Sequence, residues 1–253
     1  ESSSPPDDPV DVDPVDSVSF TYGWKINGQA SGQTGTSLTG SSFDKGDVVK
    51  CFVTPSDGTT NGSPTDSIGV TVSNSTPTFS SIVISPSNPT TSESIASSAS
   101  GWSDDDGDNE GYTYQWYDQN GAISGATGAS LSSSATAKGD IIFLQATAYD
   151  GVASGTIHSS NALTVVNSAP EAPQIEVQPT NAEPEDNLSC VVTVGSYDAD
   201  GDTVTYSYQW YLNGFQQVSL TTNTVGSAYT AHNDQWSCLV TPHDGTVTGA
   251  SDS

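Results

Sequence analysis

The sequence predicts an all-β chain: three tandem β-sandwiches arranged end to end as a rod. Two observations carry this. Stretches such as "DVVKCFVTP", "DIIFLQATAY" and "QWSCLVTP" are β-branched and aromatic, of strand length, and bounded by Gly, Asp, Asn and Pro. Amphipathic periodicity of helical type is not sustained over twelve residues anywhere. The second observation is a repeat, since Trp24, Trp116 and Trp210 lie 92 and 94 residues apart in closely similar settings.

Each tryptophan sits in an alternating strand, "FTYGWKING", "YTYQWYDQNG" or "YSYQWYLNG", that runs into an Asn-Gly or related turn. About 27 residues on comes a second strand, "GDVVKCFVTPSDG", "GDIIFLQATAYDG" or "NDQWSCLVTPHDG", ending in Asp-Gly with another Gly four residues later. "VTVSNSTP" and "LTVVNSAP" close the first two copies as a last strand followed by Asn-Ser-x-Pro. The copies divide as 1–75, 76–168 and 169–253.

Composition narrows the function. Thirty acidic residues against four lysines (Lys25, Lys45, Lys50 and Lys138) give a formal charge of -26, and arginine is absent. Such a surface cannot replace the counterions of a nucleic acid, nor bind an anionic membrane. No run of eighteen apolar residues exists, so no membrane insertion is expected in this segment. His158, His232 and His243 fall at unrelated positions of the repeat, and no "GxSxG", "HExxH" or "CxxC" occurs. No catalytic residue is assigned, and the chain is not expected to be an enzyme.

About seven short strands per copy, with a Cys, then a Trp about twenty residues on, then a second Cys, resemble an immunoglobulin-like sandwich. That resemblance places Cys190 on strand B, Trp210 on C and Cys238 on F, with Cys190 and Cys238 bridged and the three tryptophans as core anchors. In copy two, Ala96 and Leu144 stand at the two cysteine positions. Copy one keeps only the strand F cysteine, Cys51, because it begins at the acidic loop before strand C and lacks A and B. Copy three lacks strand G. Either the segment is a window on a longer array, or strands pass between neighbouring subunits.

"NSAP", "LSC", "DADGD", "YSYQWYLNG", "CLVTPHDGTVTG" and their counterparts resemble the tandem immunoglobulin-like, cadherin-like repeats of large bacterial and archaeal surface proteins. The resemblance covers nearly the whole chain. It implies a non-catalytic extracellular, cell-surface or secreted structural role, as the shaft of an adhesin or a filament. Partners would be neighbouring repeats, other copies of the chain, or surface glycans. Two alternatives stand beside it: a self-assembling filament subunit that exchanges strands, and a carbohydrate-binding accessory module of a secreted enzyme. Tyr117, Tyr211 and Phe215 are the aromatic candidates for the latter.

"DDDGD" at 104–108 and "DADGD" at 198–202 share Asp-x-Asp-Gly-Asp, and "DVDPVD" at 11–16 is a version with one insertion. Alternate carboxylates on a curved loop suit a hard cation with six to eight oxygen ligands. In an immunoglobulin-like sandwich the BC and FG loops share a pole with the domain's N-terminus. The calcium site expected at the first junction is therefore Asp104, Asp106, Asp108, Asp150 and Asn74. At the second it is Asp198, Asp200, Asp202, Asp244 and Asn167, with Asp11, Asp13, Asp16 and Asp57 as a partial set in copy one. The bland alternative is a solvated turn capped by its own aspartates. Asn61, Asn74 and Asn187 match the N-glycosylation acceptor pattern.

Overall fold

In the computed structural model, which describes residues 17–253, the described chain is strands, three single-turn 3-10 segments and loops. Two compact units divide it. One comprises the described residues up to Phe79, with Gly101–Tyr112 and Thr147–Thr156, the other Ser80–Ser100, Thr113–Ala146 and Ile157–Ser253.

In the first unit, β1 (Ser19–Ile26), β2 (Gln29–Thr34), β3 (Val48–Ser56), β4 (Thr65–Asp66) and β5 (Val70–Thr71) form one antiparallel sheet. Its order is β2-β1-β3-β4, with β5 also on β3. The predicted Asn-Gly turn closes β1 onto β2. Ile26 faces Gln29, and Asn27 and Gly28 take φ of 49° and 82°, the left-handed pair that a two-residue hairpin requires. Trp24 pairs with Cys51 across β1 and β3. Among the described residues no second sheet of this unit lies over that pair.

Further along the chain, β6 (Ser81–Ser85), β7 (Ile95–Ser100) and β10 (Ser130–Leu131) make one sheet. β8 (Tyr112–Asp118), β9 (Gly121–Ala122), β11 (Ile141–Tyr149), β12 (Ser154–Ser159) and β13 (Leu163–Thr164) make the other. Inward residues alternate along β11, and Ile142, Leu144 and Ala146 are fully buried together with Ile95 and Trp116. Trp116 Nε1 donates to Gly128 O at 2.9 Å, so the ring is buried with its polar atom satisfied.

The last sandwich pairs β14 (Gln174–Gln178), β15 (Leu188–Val194) and β18 (Thr224–Val225) with β16 (Thr205–Leu212), β17 (Phe215–Gln217) and β19 (Trp236–His243). Its core is Leu188, Cys190, Trp210, Val225, Cys238 and Val240, with Tyr206 and Tyr208 packed against it. Cys190 and Cys238 are bonded across the two sheets beside Trp210, 48 residues apart in sequence. The chain is thus all-β, of immunoglobulin-like sandwiches.

One expected equivalence shifts by a residue. Ser85 pairs with Ala96 where Gln178 pairs with Ser189, and the N–H groups of Ser97 and Cys190 donate to the matching carbonyls of Ala129 and Asn223. Ser97, not Ala96, therefore stands at the Cys190 position. The cause is a register shift in β15 opposite Gln174–Ile175, which absorbs one extra residue that counting along the chain does not reveal.

Candidate functional site

Each Asp-x-Asp-Gly-Asp loop is shaped by its own first aspartate. Asp198 Oδ1 accepts from the backbone N–H of Asp200 at 2.9 Å and of Asp202 at 3.1 Å, and Gly201 turns the chain at φ 73°. Asp104 does the same for Asp106 and Asp108 at 2.9 and 3.2 Å, with Gly107 also at φ 73°. The consequence is convergence. One carboxylate oxygen each from Asp104, Asp106 and Asp108 lie within 4.8 Å of one another, as do those of Asp198, Asp200 and Asp202. The second oxygens of Asp104 and Asp198 are buried and accept no hydrogen bond, and Asp198 is only 8% exposed. A buried carboxylate oxygen left unpaired beside two further carboxylates is a costly arrangement that a cation would relieve.

The linkers close on these loops. Ser75 N donates to Asp106 Oδ2 at 2.6 Å, and Ser168 N to Asp200 Oδ2 at 2.7 Å. Asn74 Nδ2 donates to Asp150 Oδ2 at 2.9 Å, and Asn167 Nδ2 to Asp244 Oδ2 at 2.7 Å. Thr91 adds a hydroxyl to Asp200. Two lysines complete the sets. Lys45 Nζ donates to Asn74 Oδ1 at 3.0 Å and pairs with Asp108, while Lys138 Nζ donates to Asn167 Oδ1 at 3.0 Å and pairs with Asp202. The carboxylate partner raises the pKa of each ammonium. Against Asp104, Asp106, Asp108 and Asp150, one lysine leaves most of the negative charge uncompensated.

Asp150 and Asp244 stand apart from the convergent triads. Asp150 Oδ1 accepts from Val152 N and Ala153 N at 2.7 and 2.6 Å, and Asp244 Oδ1 from Thr246 N and Val247 N at 2.6 and 2.7 Å. The N–H of Ala153, the Asn74 amide and the N–H of Val152 hold Asp150 at a pKa of about 2. The N–H of Val247, the Asn167 amide and the N–H of Thr246 do the same for Asp244, also about 2. Because the folded values lie below the ordinary carboxylate value near 4, this stabilisation is complete above about pH 4 and is lost as pH falls towards 2. Acid unfolding followed by circular dichroism should accordingly show a stability loss in that window, shrunken in Asp150→Asn and Asp244→Asn.

Asp57 caps its own turn in the same way, accepting from Thr59 N and Thr60 N at 2.8 and 2.7 Å. Asp11, Asp13 and Asp16 lie outside the described residues. Of the glycosylation candidates, Asn61 is exposed, Asn187 accepts from Ser227 N at 2.8 Å, and the Asn74 amide nitrogen is half-buried on Asp150. Of the aromatic candidates, Tyr117 is stacked on Phe143 at 4.9 Å, Tyr211 is half-buried, and Phe215 is 77% exposed. His243 Nδ1 accepts from Gly245 N at 2.8 Å.

Lys45 and Lys138 did not figure in the expected sites, nor did Ser75, Ser168 or Thr91. The signal for the lysines was present: two of only four basic residues fall 93 residues apart, each in a Lys-Gly-Asp sequence.

No protein-family description matches the chain, and no curated protein matches it. Among solved structures it is similar to the FN1-FN3 domains of chicken CNTN1, at 11% identity, TM-score 0.29, over 95% of this chain and 88% of that one. It is also similar to the three N-terminal domains of the bacteriophage RB49 Highly Immunogenic Outer Capsid protein (Hoc). There the identity is 16% and the TM-score 0.32, over 96% of this chain and 88% of that one. No helix among the described residues is long and apolar enough to cross a membrane.

Proposed function

We propose that the chain is a non-catalytic extracellular structural segment, a calcium-stiffened shaft of a cell-surface adhesin or filament, built from repeats at 1–75, 76–168 and 169–253. The observation that carries this reading is the twice-repeated loop in which three carboxylates converge around an orphaned buried oxygen, with the preceding linker bonded to the same loop. Bound calcium would take Asp104, Asp106 and Asp108, or Asp198, Asp200 and Asp202, as ligands, with water filling the remaining positions. Asn74 with Asp150, and Asn167 with Asp244, would buttress the linker from outside the ligand set. A linker held to the loop by bound calcium would stiffen the junction. A disulfide between buried cysteines agrees with an oxidising, extracellular setting.

Calorimetry tests the reading. Calcium at about a hundred times its dissociation constant should stabilise the folded chain by about 2.7 kcal/mol, and chelator should reverse the effect. Asp104→Asn and Asp198→Asn should each remove part of it. Lys45→Met and Lys138→Met, which delete the competing ammonium, should tighten binding. A melting temperature indifferent to millimolar calcium and to chelator would sink the proposal.

A further inference from the structure

The sheet of β1, β3 and β5 carries an apolar face that its counterparts bury. Trp24 and Cys51 pair in the same register as Trp210 and Cys238, so the two sheets are directly comparable. In the last sandwich that face lies under the β14–β15 hairpin, and in the middle one the β6–β7 hairpin likewise belongs to the opposing sheet. The covered residues Trp116, Ile142, Leu144 and Trp210 are fully buried. Their equivalents Trp24, Val49 and Cys51 are only half-buried, and Val70 is 64% exposed. With Leu38, Phe43 and Val72 they line an open groove of about 600 Å³. Its size and lining are those of a missing core layer.

Cys51 sharpens the assignment. The chain has three cysteines, and Cys51 alone is free. It occupies the place from which Cys238 reaches Cys190 on β15. We infer that this groove is a docking site for an additional two-stranded β-hairpin of the Gln174–Val194 type, with alternating apolar residues and a cysteine opposite Cys51. The hairpins among the described residues already cover their own sheets, so the occupant is a further segment and not a second copy. Docking would seat the apolar residues over Trp24 and Val49. The two thiols would then lose two electrons and two protons to a disulfide oxidant, which leaves as two thiols.

The test uses the whole chain and a synthetic peptide of residues 173–195 whose cysteine carries a small thiol as a mixed disulfide. Cys51 sulfur attacks the peptide sulfur, the old S–S bond breaks, and the small thiol leaves, with no net oxidation. The peptide should label Cys51 at least about tenfold faster than a scrambled peptide with the same mixed disulfide, and the adduct should melt higher than the free chain. A Cys51→Ser chain should bind the peptide without a covalent bond, detected by protection of Trp24 fluorescence from quencher. Equal rates for the two peptides, or an adduct without thermal gain, would overturn the inference. So would a dimer of the chain alone that buries Cys51, because it would give the groove to a second copy.

Discussion

Replacing both Cys190 and Cys238 by alanine should lower the stability of the last sandwich by about 4 kcal/mol. The bridge spans 48 residues, and closing a loop of that length restricts the unfolded chain by about this amount in the chain-entropy account. Both cysteines are 1% exposed and contact the Trp210 layer, so the loss of buried sulfur adds to the effect. For a sandwich of this size each kcal/mol moves the melting temperature by about 4–8 °C, and the calorimetric transition of the last sandwich should fall by at least about 15 °C. The transition of the middle one should not move. Conversely, Ser97→Cys with Leu144→Cys should install a bridge in the middle sandwich, since these are the positions equivalent to Cys190 and Cys238. Oxidised and reduced samples of that variant should then melt apart.

The second large effect is expected at two glycines that look unremarkable in the chain. A Cβ on Gly155 would lie 1.6 Å from Pro77 O, and one on Gly249 would lie 2.0 Å from Pro170 O. These are close approaches of backbone to backbone, which no rotamer change relieves. Gly155→Ala and Gly249→Ala should each cost about 3 kcal/mol, near the upper end for overpacking. Pro77 and Pro170 follow the Asn-Ser pairs that bond Asp106, Asp150, Asp200 and Asp244, so the displaced linker should also lose those bonds. Amide exchange at Ser75 and Ser168 should speed up in step with the fall in melting temperature. Gly62→Ala is the control, because its Cβ would come close only to the Pro55 side chain, at 2.9 Å, with the nearest backbone oxygen at an ordinary 3.6 Å.

The strands were legible because alternation of apolar residues and Asn-Gly turns act locally. Ile26, Asn27, Gly28 and Gln29 form the hairpin that four letters of sequence announce. The glycine four residues after each Asp-Gly was legible as a repeat feature, yet at Gly155 and Gly249 its reason lay in a proline more than 75 residues away. The same distance hid the lysines: Lys45 meets Asp108 and Lys138 meets Asp202 only after folding, and no local rule couples them. Asp150 and Asp244 were expected to join the acidic loops as ligands, and in the structure they bond the linker asparagines. Their oxygens are committed to backbone N–H groups and to Asn74 and Asn167, which an inventory of carboxylates does not disclose. The one-residue error at Ala96 has its origin in a bulge, a feature that changes register without changing composition.

The unequal distribution of sulfur along the chain has a consequence under load. Pulled by its ends, the last sandwich can release only the residues outside the Cys190–Cys238 loop. The loop between the two cysteines, a sequence separation of 48, stays locked, about 160 Å of contour that tension cannot reach without a reductant. The middle sandwich, held at the same place by Leu144 and Ser97, has no such stop and can pay out its full length. Stretch would therefore spare the last sandwich and fall on the unbridged middle one, a sacrificial extension whose neighbour resists.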